Sequence, residues 1–139
     1  MVEFNADGEE LAEGGVQDWL AEIAPGLERH GLTLDMRVLA DPYQAEGDDY
    51  VLEINGHRCP IWTEREMGRR DLWGVATARP VTVINTLLAV SGTPVRAYLL
   101  HEGGNEGMLL LLPPGVPAAM RASGLFQERD VPALPTREG

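Results

Sequence analysis

Lysine is missing from this 139-residue chain, and its eleven basic residues are all arginine. That absence removes whole chemistries: there is no P-loop lysine, no Schiff-base lysine and no lysine general base. Serine is nearly missing as well. Ser91 and Ser123 each stand before a glycine where a helix end is expected, and no G-x-S-x-G elbow exists. Cys59 is the only cysteine, so no intrachain disulfide and no cysteine-based zinc site can be built. A lone unpaired cysteine suits a reducing cytoplasm. No apolar run approaches the roughly 20 residues of a membrane span. The opening MVEFNADGEELAEGG is acidic and lacks the apolar stretch of a signal or transit peptide.

What remains is ordinary globular composition, 44% hydrophobic and 24% charged. The length fits one domain, expected over residues 1–126, with a polar, proline-bearing tail at 127–139. A chain of this size buries roughly two-thirds of its unfolded surface and needs no staple. Net charge is −11, unevenly spread. Residues 1–56 carry fourteen acids against Arg29 and Arg37, whereas residues 57–79 carry five arginines against three acids. Such a field repels nucleic acid and anionic membrane and attracts basic partners.

Periodicity gives the elements. Val16, Trp19, Leu20, Ile23 and Leu27 recur at helical spacing, predicting a helix over 15–30 that Gly31 stops. Residues 32–40 alternate as a half-buried strand, and DPYQAEGDD supplies Asp-Pro and Glu-Gly turn chemistry. In DYVLEINGHRCPIW the Asn55-Gly56 pair marks a two-residue hairpin turn. That register sets Ile54 opposite His57, Glu53 opposite Arg58, Leu52 opposite Cys59 and Tyr50 opposite Ile61, leaving Trp62 on the other side. Residues 71–91 read as a helix capped by Gly92. Two short strands follow around HEGGNEGM, and Pro117 starts a last short helix ended by Gly124. The expected fold is α+β: a mainly antiparallel five-stranded sheet with helices on one face, in the order αβββαββα.

The candidate sites are few. HEGGNEGM offers one histidine and two glutamates around three glycines. A zinc H-E-x-x-H motif needs a second histidine on a helix, calcium loops need more acids, and glutamates oppose a phosphate loop. The pattern is that of a hairpin loop. His57 reads as a partly buried histidine on an apolar face, Cys59 as a small core residue two positions along the same strand, and Trp19 and Trp73 as core. No catalytic residue, cofactor site or metal site is expected. Trp62 with Arg65, Arg69 and Arg70 has the composition of an interface hot spot and is the expected partner-binding surface.

The order of elements, with the stretch VINTLLAVSGTPVRAYLLHEGGNEGMLLLLP at residues 83–113, resembles the class I type III secretion chaperones. That resemblance implies a bacterial, cytoplasmic, non-enzymatic homodimer that binds an extended segment of a client protein. The dimer surface would include the 71–91 helix and the 95–100 strand. Two other readings stay open: an acidic immunity-type inhibitor of a basic toxin, and a small enzyme, for which no convergent set of titratable groups can be assembled.

Overall fold

The computed structural model describes residues 2–44 and 47–135; the last four residues of the expected tail, and Glu46 of the expected Glu-Gly turn, lie outside them. The architecture is α+β, with six strands in two antiparallel sheets of three, rather than one sheet of five. Strands β1 (Val2–Asn5), β2 (Met36–Ala40), β3 (Tyr50–Ile54), β4 (His57–Trp62), β5 (Arg96–Leu100) and β6 (Met108–Leu112) are joined by three helices, α1 (Val16–Glu28), α2 (Leu72–Ser91) and α3 (Gly115–Ser123). The first sheet runs β1-β6-β5 and the second β2-β3-β4.

The strand absent from the sequence expectation is β1. Its register, Glu3 opposite Leu110 and Phe4 opposite Leu109, places it against β6. A segment of four residues carries too little alternation to be read as a strand, and its partner lies at the far end of the chain. The second sheet is a plain meander. Asn55 and Gly56 take φ of 49° and 81°, the pair of positive values that a type I′ hairpin turn requires. Ile54, Glu53 and Leu52 face His57, Arg58 and Cys59 as expected, but Tyr50 faces Trp62 because a bulge lies between Tyr50 and Val51.

One apolar core lies between the two sheets and the helices. It receives Trp19, Leu20, Ile23 and Leu27 from α1, Ala76, Val81, Ile84 and Leu88 from α2, and the inward residues of both sheets. Helix α2 runs along β4 and against β5, so it ties one sheet to the other. Strand β6 is apolar at every position because both its faces are covered. Leu109 and Leu111 enter the main core, while Leu110 and Leu112 join Tyr98 in a second, smaller cluster.

Residues 127–135 lie against the domain. Val131 and Pro132 are buried, and Ala133 exchanges two backbone hydrogen bonds with Leu99, at 2.7 and 2.9 Å. Next to it, the Asn85 side chain of α2 bonds both backbone groups of Ala97, donating to its oxygen at 3.0 Å and accepting from its nitrogen at 2.7 Å. Between them, a side chain and the tail close the outer edge of β5. The 95–100 strand expected to meet a second copy is therefore already paired along that edge.

Candidate functional site

The four residues selected from sequence separate in the structure. Trp62 is 2% exposed and packs edge-on against Tyr50 and Tyr43, with ring centroids 6.1 and 6.3 Å away. Its indole N–H donates to the Ala12 carbonyl at 2.8 Å. The expectation that Trp62 projects away from the apolar face is thus corrected. The bulge beside Tyr50 adds one residue to the register, and a one-residue slip turns a side chain to the opposite face.

Arg69 is committed within its own turn, making two 2.8 Å bonds to Asp71. Arg65 and Arg70 are exposed and have no carboxylate within 4.0 Å among the described residues. The arginine that matters most to the fold here is one the sequence did not single out. Arg79 of α2, 8% exposed, forms a bidentate pair with Glu66 at 2.8 and 2.6 Å. Glu66 also accepts the backbone N–H and hydroxyl of Thr63, completing a capping box. The Arg79 guanidinium, with those bonds, lowers the Glu66 carboxyl to about 2. This pair pins the 63–70 connection to α2.

His57 is exposed, not partly buried, and Trp73 is 37% exposed rather than core. Cys59 is buried, and burial raises its thiol to about 11, which leaves almost no thiolate at neutral pH. His101 pairs with Asp130 at 3.1 Å. The loop that carries His101 turns β5 into β6, and it also braces the N-terminal segment. Gly107 and Gly104 accept backbone bonds from Ala6 and Gly8 at 2.7 and 3.0 Å. Asn105 donates to Asp7 and Glu9, at 3.1 Å each. The approach is close enough that a Cβ on Gly8 would lie 3.0 Å from the Gly103 carbonyl carbon.

That brace positions the most distinctive surface of the molecule. Asp7 caps a helical turn over Gly8–Glu10 by accepting from Glu9 and Glu10 N–H. The chain then widens through Leu11–Gly15, where Glu13 and Gly14 leave helical geometry (Gly14 φ 100°), before α1 begins. The widening opens a concavity of about 160 Å³. Its rim carries Asp7, Glu10, Asp18 and Glu22, and its wall is formed by Leu11 and Trp19. Trp19 is held by its indole N–H bond to the Asn5 carbonyl at 2.7 Å. A second shallow hollow adjoins it at Glu9, Glu13 and Gly14. Among the described residues no arginine or histidine lies within 4.0 Å of any of these six carboxylates.

Tyr43 closes the far side of this surface. It is 53% exposed, and its ring lies over Gly14, where a Cβ would come within 3.1 Å. Desolvation, with Glu13 and Asp41 nearby, raises its phenol above the ordinary value. A buried polar network fixes its backbone. Asp41, 1% exposed, accepts the Tyr43 N–H at 2.9 Å and the Gln17 amide at 3.0 Å. Gln17 accepts from the Tyr50 hydroxyl, which accepts the Val16 N–H at 3.0 Å. Burial pushes the Tyr50 phenol well above its ordinary range.

The sequence showed the excess of acids over residues 1–56 but not the hollow, which depends on the irregular Leu11–Gly15 segment. Comparisons with protein-family models, curated proteins and solved structures yield no match. Among the described residues no three His, Cys, Asp or Glu side chains are grouped as a metal ion would need, and no helix is long and apolar enough to cross a membrane.

Proposed function

We infer that this chain is a non-enzymatic protein-binding module, adaptor- or chaperone-like, that docks a basic polypeptide partner by seating an arginine or lysine side chain in the acidic hollow. One observation carries the reading: among the described residues, four carboxylates with no arginine or histidine within 4.0 Å line one concavity together with Leu11 and Trp19. A long basic side chain matches both parts, its methylene stem lying on Leu11 and Trp19 and its charged head meeting the rim. The size supports a side chain over a cofactor, since about 160 Å³ falls below the roughly 300–1,000 Å³ of small-molecule sites. The acidic half of the chain would speed encounter with such a partner. An immunity-type inhibitor of a basic toxin would use the same surface and differ only in its partner.

The test is a charge-matched comparison. An oligo-arginine peptide is titrated into the native protein, into Asp18→Asn/Glu22→Gln, and into Asp48→Asn/Glu106→Gln. The two double variants have the same net charge, but only the first alters the hollow. Loss of affinity by about tenfold or more in the hollow variant alone, about 1.4 kcal/mol, supports the reading. Equal loss in both variants overturns it, because the peptide then senses only the overall field.

A further inference from the structure

Among the described residues no strand pairs with the outer edge of β2, and we propose that β2 pairs with β2 of a second copy of this chain, antiparallel and two-fold symmetric about Met36. The strand lies at the edge of its sheet. The Asp35 carbonyl accepts the Asn55 N–H at 2.7 Å, and Arg37 lies opposite Glu53. In an antiparallel ladder, residues that bond the neighbour alternate with residues whose N–H and C=O point the other way. Met36 and Val38 therefore turn their backbone groups outward, away from β3. Two of the other edges are closed: Asn85 and Ala133 cover β5, and α2 packs along β4.

A bulge between Val38 and Ala40 ends the regular edge, so the stretch free to pair is residues 34–38. Its midpoint is Met36, which fixes the symmetric register. Met36 then faces its own copy, Leu34 faces Val38, and Asp35 faces Arg37, each unlike pair occurring twice. Both sides of the strand favour this arrangement. On the core side, Met36 and Val38 lie opposite the buried Ile54 and Leu52. Leu34 and Met36 are only partly buried and Val38 is 45% exposed, so the apolar row continues past the edge of the sheet. On the other side the edge carries one acid and one base, two positions apart. That pattern is self-complementary, whereas a basic peptide would meet Arg37 with like charge. The second copy is thus the occupant that satisfies the backbone, the apolar row and the charges together.

The test uses sedimentation equilibrium at micromolar concentrations, with the unfolding midpoint of each variant confirming that it folds. The native chain is expected to dimerise. Asp35→Arg sets two guanidinium groups against each other in both charged pairs, and Arg37→Asp sets two carboxylates against each other there. Each variant alone should therefore raise the dissociation constant about tenfold or more. Mixed together, the two variants restore opposite charges in both pairs and should form a heterodimer. Asp35→Arg leaves the Arg37–Glu53 contact at 3.2 Å in place, which separates the interface from the fold. Val38→Pro removes an outward N–H and no bond to β3, and should also yield monomer. A native chain that stays monomeric overturns the proposal. So does a dimer indifferent to all three substitutions, or single variants that lose the dimer and do not recover it on mixing.

Discussion

Glu66 shows how much one carboxylate can organise. It joins the Thr63 cap, the Arg69 turn and the Arg79 guanidinium, and it is 16% exposed while Arg79 is 8% exposed. A charge pair so withdrawn from water costs a great deal when one partner is removed, because the other is left buried without that countercharge. Its carboxyl titrates near 2 when folded, against 4.5 for the free group. The lowered value means that the folded state prefers the ionised form. Stability from this source is complete above about pH 4.5 and is lost as pH falls towards 2. Glu66→Gln should lower the unfolding free energy at neutral pH by about 3 kcal/mol, and the gap to the native chain should close through that acid window. Denaturant melts at several pH values decide it; a gap that stays constant with pH would assign the loss to packing instead of charge.

At the scale of elements, the parts with local signals were legible and the parts set by distant partners were not. Helix α1 follows the spacing of Trp19, Leu20, Ile23 and Leu27, and the Asn55-Gly56 turn fixes the β3–β4 hairpin through three of its facing pairs. The loop at 101–107 turns the chain between β5 and β6, as its glycines and asparagine suggest. Trp62 failed because a bulge is invisible to a count made from the turn. Sheet β1-β6-β5 failed because β1 makes sense only beside Leu109 and Leu111. The acidic hollow failed for a related reason: composition records charge but not curvature. The two sheets are held to one another by contacts of this distant kind, and Asn85 is the clearest. Asn85→Leu removes both bonds to Ala97 and leaves those backbone groups without their partner. The expected loss is about 2 kcal/mol, read as a lower denaturant midpoint with unchanged slope. A neutral effect would show that β5 does not rely on α2 to close its edge.

For the molecule as a whole, the charge of −11 sets opposite salt responses for the two proposed interfaces. Screening weakens attraction between an acidic hollow and a basic partner, so that association should slow as salt rises towards about 0.15 M, where the Debye length is about 8 Å. Two copies of an acidic chain repel one another, and the same screening should favour the β2 pairing. Stopped-flow association with oligo-arginine and sedimentation of the protein alone, each run across a salt series, should therefore move in opposite directions. If both strengthen or both weaken together, the two interfaces are not electrostatically distinct as described.

The pairing of β1 with β6 also bears on how the chain is made. Val2–Asn5 leaves the ribosome well before the strand it needs, which is translated about a hundred residues later. Until then Phe4 has no sheet to join, and α1 lacks part of the surface it packs on. The β2-β3-β4 meander has all its partners close by and can assemble during synthesis. The first sheet, and the acidic hollow braced on the 101–107 loop, can close only after Met108–Leu112 has been made, so the proposed docking surface takes shape later than the meander.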